Sequence, residues 1–175
     1  LRAPTIYFQT QVGIPSGRKW IRLSEIADVE RGVTTGANPW FLVRDVTDDE
    51  AAEYAAQCKR RSVRPSAALR LIEDGDGGKH LIESEYIAPV IRDPQSYHAI
   101  RIDVGKVADR IAIFPVVTKN KIKRFGRDYI HVGERKRYSM GKDKKMVPAE
   151  TETCKNRPHW YAIPNPIQSQ LLWQK

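Results

Sequence analysis

Thr47-Asp48-Asp49-Glu50-Ala51-Ala52-Glu53-Tyr54-Ala55-Ala56-Gln57-Cys58-Lys59-Arg60-Arg61 carries the clearest helical pattern in the chain. Thr47 and Glu50 have the spacing of a capping box, in which the hydroxyl caps the first turn and the carboxylate reaches back. Ala51, Tyr54, Ala55 and Cys58 fall at i, i+3, i+4 and i+7, a single buried face that puts Cys58 in a core. Lys59, Arg60 and Arg61 occupy the last turn, where cations complement the helix dipole without any ligand. Upstream, residues 7–12, 20–23, 29–31 and 40–43 read as extended, with a short helix capped by Ser24 and a Gly-containing loop over 32–39. Downstream, strands are expected at 99–104, 110–117, 128–132 and 160–163. Residues 86–91, interrupted by Pro89, fit either state. Asp74-Gly75-Asp76-Gly77-Gly78 reads as a flexible turn or an exposed loop; it lacks the EF-hand spacing and terminal Glu that calcium would need. Residues 133–157 show little apolar periodicity and read as a long basic loop. Strands and short helices that alternate irregularly define an α+β chain: a single mixed domain with a twisted, largely antiparallel sheet, short helices and that loop.

The 175 residues suffice for one core without staples, and four Trp and seven Tyr exclude a wholly disordered chain. No apolar run approaches the length of a bilayer span. Two cysteines are too few for a disulfide scaffold or a four-Cys zinc site, so a cytoplasmic setting is expected. The chain opens Leu-Arg-Ala-Pro, without Met or a signal-peptide pattern, and is expected to be part of a longer protein. Its charge is segregated. Residues 1–117 hold 16 basic and 16 acidic side chains; residues 118–175 hold 14 and 5, so the entire net charge of +9 lies in the last third. A neutral body with one basic end is the footprint of a polyanion binder, or equally, on charge alone, a solvated Lys-rich surface.

Catalytic signatures are weak. His80, His98, His131 and His159 are far apart and make no zinc-ligand spacing with either cysteine. There is no Gly-x-Ser-x-Gly elbow, dinucleotide fingerprint or P-loop. Asp128 followed by Glu134-Arg135-Lys136 resembles the Asp…Glu-x-Lys pattern of Mg²⁺-dependent nucleases, in which two carboxylates on adjacent strands hold the metal beside a lysine. A nuclease using Asp128, Glu134 and Lys136 is therefore one alternative. A basic RNA-binding or protein-interaction module is another.

Three blocks carry a more specific resemblance. In Leu23-Ser24-Glu25-Ile26-Ala27-Asp28-Val29-Glu30-Arg31-Gly32-Val33-Thr34-Thr35-Gly36-Ala37-Asn38-Pro39-Trp40-Phe41-Leu42, the residues Gly32, Thr35, Gly36, Asn38 and Phe41 keep the order of a "G-x-x-T-G-x-N-x-F-F" segment, with Trp40 at the first aromatic position. Glu85-Tyr86-Ile87-Ala88-Pro89-Val90-Ile91 is similar to an "l-x-P-x-l" segment, and Asn156-Arg157-Pro158-His159-Trp160-Tyr161-Ala162-Ile163 to an "R-x-x-W-Y-x-l" close. Blocks in this order resemble the target recognition domain of adenine-N6 DNA methyltransferases of restriction–modification systems. The specificity subunits of type I restriction enzymes carry related domains. The resemblance implies a noncatalytic domain over residues 19–165 that reads double-stranded DNA, with 1–18 as a lead-in segment and 166–175 as the start of a C-terminal continuation. It also implies a covalently linked methyltransferase domain N-terminal to this chain, which would bind S-adenosylmethionine; no cofactor is expected in the chain itself, and no Asn/Asp-Pro-Pro-Tyr/Phe motif occurs in it.

Within the quoted blocks, Gly36 is expected at positive φ and Asn38 in the left-handed region, with Trp40, Phe41, Trp160 and Tyr161 packed in the core. DNA contact then falls to the basic third. Lys119, Lys121, Lys123, Arg124 and Arg127 form one cluster. Arg135, Lys136, Arg137, Lys142, Lys144 and Lys145 form a second, and Arg157 lies in the closing block. Most would neutralise phosphates, while Arg135 or Arg137 could pair with guanine O6 and N7.

Overall fold

The structure is a computed structural model that describes residues 34–92, 107, 109–141 and 144–163. The elements expected at 7–12, 20–23, 24–28, 29–31 and 99–104 lie outside the described residues, as do Gly32 and Lys142.

Five strands form one antiparallel sheet: β1 (Leu42–Asp45), β2 (Leu69–Glu73), β3 (Lys79–Glu83), β4 (Ile87–Pro89) and β5 (Asp109–Ala112), in the spatial order β3-β2-β1-β5-β4. The expected α+β class with an antiparallel sheet is thus observed. Helix α1 (Asn38–Phe41) leads into β1, α2 (Ala51–Arg60) connects β1 to β2, α3 (Arg124–Gly133) follows β5, and α4 (Glu152–Lys155) closes the described chain. Strands β6 (Tyr138–Ser139) and β7 (Lys145–Met146) pair as a separate small hairpin.

The sheet buries both faces, and the strand period of two assigns residues to each. Leu71 of β2 and Leu81 of β3, paired directly across the hairpin, pack with Tyr54 and Cys58 of α2. Their neighbours Ile72 and Ile82 enter the opposite and larger cluster with Trp40, Phe41, Phe114, Tyr129, Ile130 and Tyr138. Helix α3 contributes to both, Phe125 to the first and Tyr129 and Ile130 to the second. Pro89, which lacks an N–H, ends β4 at the sheet edge, where a missing donor is tolerated.

Several elements differ from the sequence expectation. Helix α2 does form, with Tyr54 and Cys58 buried, but Ala51 and Ala55 are exposed. Its capping box does not. Thr47 Oγ1 donates to Asp45 Oδ1 (2.7 Å) and accepts the Leu71 N–H (2.8 Å), so the hydroxyl seals the β1–β2 junction. Glu50 pairs with Lys79 at 2.5 Å instead of reaching back. Residues 128–132 are helical, not extended. The β-branched Ile130 and Val132 mimic a strand, yet the buried set Phe125, Gly126, Tyr129, Ile130 and Gly133 has the helical period. The strand expected over 110–117 ends at Ala112, and Phe114 makes only an isolated bridge to Ala162, so 160–163 is no strand either. Residues 38–41 coil into α1 before β1 begins. The segment Asp74–Gly78 links β2 and β3 as a hairpin whose two strands have no clear signal in the sequence. Residues 133–157 are less bare than a loop: they hold β6, β7, a 3-10 turn at Pro148–Glu150 and α4.

Candidate nucleic-acid interface

Helix α3 is held at both ends by contacts far away in sequence. Glu83, buried at the end of β3, accepts the Phe125 N–H (3.0 Å) and the Gly126 N–H (2.7 Å) on its two carboxylate oxygens. Tyr86 Oη accepts the N–H of Lys123, the residue just before the helix (3.0 Å). No acidic side chain lies in the helix's own first turn, so a carboxylate from the sheet supplies the negative charge that a helix N-terminus favours. At the other end Gly133 lies beneath two indoles. A Cβ there would come within 2.4 Å of Trp160 Cη2 and 2.7 Å of Trp40 Nε1, so only glycine allows the approach. Trp40 and Tyr129 stack with ring centroids 4.9 Å apart and exchange hydrogen bonds, Tyr129 Oη to the Trp40 carbonyl (2.7 Å) and Trp40 Nε1 to the Tyr129 carbonyl (3.3 Å).

With its inner face fixed, α3 leaves Arg124 exposed and Arg127, Asp128 and His131 half-buried on its other side, Val132 packs at the margin of the larger cluster, and Arg135 follows just past the helix end. Arg61, from the end of α2, joins this face: its guanidinium lies 3.3 Å from Asp128, and its carbonyl accepts from Arg124 at 3.4 Å. Arg61, Asp128, His131, Val132, Arg135 and Lys136 line an open depression of about 560 Å³.

Eleven of the twelve basic residues expected to contact DNA, all but Lys142, lie among the described residues and separate into two sets. Lys119 pairs with Glu134 (2.7 Å), Lys123 with Glu85 (2.7 Å) and Lys136 with Asp74 (2.7 Å). Arg157 is tied inward: its guanidinium donates to the carbonyls of Thr34 (2.7 Å) and Thr35 (2.9 Å) and lies over the Phe41 ring at 5.2 Å. Lys121, Arg124, Arg127, Arg135, Arg137, Lys144 and Lys145 have no carboxylate partner among the described residues. Three of these, Arg124, Arg127 and Arg135, share the α3 face; Arg61 and His131 complete it. Neither of those two stands out in the sequence, although the spacing of Asp128, His131, Val132 and Arg135 at i, i+3, i+4 and i+7 groups His131 with them.

The structural-motif residues of the opening block meet those of the closing block, whose Trp160 donates to Glu134 at the end of α3 (3.2 Å). Gly36 has φ of +76°, as expected, and a Cβ on it would meet Thr153 Cβ at 2.4 Å. Asn38 departs from expectation: it begins α1 with negative φ, and its side-chain oxygen accepts from the Thr35 hydroxyl. Trp40, Phe41 and Tyr161 are buried, and Trp160 packs on Trp40 with centroids 4.7 Å apart. Through Arg157 and Trp160 the closing block is docked directly on the opening one.

Asp74 anchors the other polar centre. Its side chain is fully buried and receives five donors or partners: the N–H groups of Asp76 (3.0 Å) and Gly78 (2.7 Å) on Oδ1, and Lys136 Nζ (2.7 Å), Tyr138 Oη (2.8 Å) and His80 Nε2 (3.1 Å) on Oδ2. Burial alone would raise its pKa, but the contacts from His80, Lys136, Tyr138 and Gly78 outweigh it and hold the carboxyl well below its ordinary value. Burial, with Tyr129 and the Asp74 charge beside it, pushes the Tyr138 phenol far up. For Glu134 burial again raises, while Lys119, Trp160 and His131 prevail and lower it.

Asp128, Glu134 and Lys136 do not converge. They face Arg61, Lys119 and Asp74 respectively, and both acids belong to one helix and its end rather than to adjacent strands. Among the described residues no group of three or more His, Cys, Asp or Glu side chains is arranged to hold a metal ion. No described helix is long and apolar enough to cross a membrane. Comparison with protein-family models, characterised proteins and solved structures finds no match for this chain.

Proposed function

We propose that the chain is a sequence-specific, double-stranded DNA-binding domain, the target recognition part of an adenine-N6 DNA methyltransferase or restriction–modification enzyme, and itself noncatalytic. The observation that carries this reading is the outer side of α3 and its end, where Arg124, Arg127 and Arg135 stand without carboxylate partners among the described residues while the apolar residues of the helix pack on the two core clusters. A helix about 10 Å across enters the roughly 12 Å major groove of B-DNA, whereas the deep, narrow major groove of A-form RNA excludes it. The resemblance of the three blocks supports the same function, and the first and third of them dock directly on each other. Base extrusion and methyl transfer would belong to a linked cytoplasmic methyltransferase domain with its S-adenosylmethionine.

Fluorescence anisotropy with labelled duplexes across a salt series tests the proposal. Log affinity should fall linearly with log salt, with a slope of about −0.9 for each neutralised phosphate. Arg124→Ala, Arg127→Ala and Arg135→Ala combined should weaken binding and make the slope shallower. A folded triple variant with unchanged affinity and slope would remove α3 from the interface.

A further inference from the structure

One residue on the α3 face has the wrong charge for phosphate binding. Asp128 lies amid Arg124, Arg127, His131 and Arg135, and a carboxylate there repels every phosphate that approaches its neighbours. Its fold contacts do not account for it. The Asp128–Arg61 pair is long, at 3.3 Å, and joins side chains 36% and 49% exposed, the kind of ion pair that contributes little to stability. We propose that Asp128 reads base identity, accepting a hydrogen bond from the exocyclic amino group of a cytosine in the major groove. This inference rests on the duplex-DNA reading above.

Helix geometry supports the assignment. From Arg124 to Gly133 the helix axis advances about 14 Å at 1.5 Å per residue, close to the width of the major groove at roughly 12 Å, and Arg135 lies two residues past its end. Arginines at the two ends of such a face meet the phosphates that border the groove, and the side chains midway between them meet base edges. Asp128 is midway. An ionised carboxylate only accepts, and in the major groove the amino groups are cytosine N4 and adenine N6. Adenine places its N7 acceptor beside N6 and so favours an amide, which can donate as well; cytosine N4 has no acceptor next to it on its own ring edge and suits a carboxylate. Arg61 shields Asp128 in the free protein and is then released towards a phosphate, an exchange that a solvent-exposed pair permits at small cost.

Selection of duplexes from a randomised pool by the 175-residue chain, and by its Asp128→Ala and Asp128→Asn variants, tests this. The parent should enrich a C·G pair at one position by about 5- to 150-fold over its alternatives. Asp128→Ala should abolish that preference while binding random duplex at least as tightly as the parent. Asp128→Asn, of the same shape, should move the preference towards A·T. Circular dichroism melting of both variants should match the parent, since Asp128 makes no buried contact. If both variants keep the parental preference and only bind all duplexes more tightly, Asp128 is a charge on a phosphate-binding face; the inference falls and the DNA-binding reading stands. If the parent shows no salt-dependent duplex binding, the DNA-binding reading falls and takes the inference with it.

Discussion

Replacing Glu83 should unfasten α3 from the sheet. The Glu83 carboxylate is buried, and its two oxygens accept the Phe125 and Gly126 N–H groups at 3.0 and 2.7 Å. Phe125 and Gly126 are themselves buried, so water cannot readily replace the lost acceptor. A hydrogen bond to a charged group contributes about 1.5–3 kcal/mol, and a charge at a helix N-terminus up to about 2 kcal/mol when partly buried. These contributions overlap, because the charge acts through the same two bonds. Glu83→Ala strands both donors and should cost about 3–5 kcal/mol. Glu83→Gln keeps the shape and one accepting oxygen, loses the charge and turns an amide donor on one N–H, and should cost about 2–3 kcal/mol.

Against a typical domain stability of roughly 5–15 kcal/mol, either loss is large. Urea unfolding followed by tryptophan fluorescence reads it directly, since Trp40 stacks on Tyr129 of α3 and Trp160 lies over Gly133. The midpoint should fall with the denaturant slope unchanged, which identifies lost stability rather than a changed unfolded ensemble. Two variants that both unfold within about 0.5 kcal/mol of the parent would refute the cap, and α3 would then be held by its apolar face alone.

Gly133→Ala should destabilise by about 1–3 kcal/mol through overpacking against Trp160 and Trp40, despite alanine's advantage of about 1 kcal/mol in helix propensity, and a rise in melting temperature would contradict the close approach. Gly36→Val should lose a similar amount, because φ is +76° and Thr153 lies where the side chain must go; DNA affinity measured well below the melting point should be preserved. The folded Asp74 carboxyl is held below its ordinary value of 3.8, so as pH falls from there the unfolded chain takes up a proton that the folded one refuses, and stability falls with it. Asp74→Asn should therefore lower stability at neutral pH and flatten the acid limb of a stability–pH curve; an unaltered limb would show that other carboxylates, Glu134 among them, set it. Lys144→Ala with Lys145→Ala should weaken duplex binding less than the α3 triple variant, measured at one salt concentration.

What the sequence reveals depends on which contacts are local. The face containing Tyr54 and Cys58 is visible because its period repeats within one helix, and the positive φ of Gly36 because a turn needs it. Thr47 misleads since its hydroxyl has two uses within reach, the helix start and the Leu71 N–H, and only tertiary structure chooses between them. The strand expected at 128–132 comes from weighing β-branched residues over a short window; a longer one includes Phe125 and Gly133 and restores the helical period. Glu83, Asp74 and Arg61 were illegible for a different reason. Their partners lie 42, 64 and 67 residues away, and nothing in a single sequence pairs Glu83 with Phe125, Asp74 with Tyr138, or Arg61 with Asp128.

The three sequence blocks 23–42, 85–91 and 156–163 have one structural task in common: each holds α3 or the platform beneath it. Tyr86, from the second block, caps the residue before the helix and presses against Gly126. Trp40 from the first and Trp160 from the third close over Gly133, and Arg157 ties those two blocks together through the Thr34 and Thr35 carbonyls. None of these side chains belongs to the outward face that carries Arg124, Arg127, Asp128, His131 and Arg135. The residues that fix the helix and the residues that face solvent are therefore separate sets on opposite sides of α3. Under the proposed function, a change of base preference requires substitution only on the outward side, where exposed positions cost little stability. A change to the inward side alters the aim of the whole helix, and every contact made by its arginines moves together.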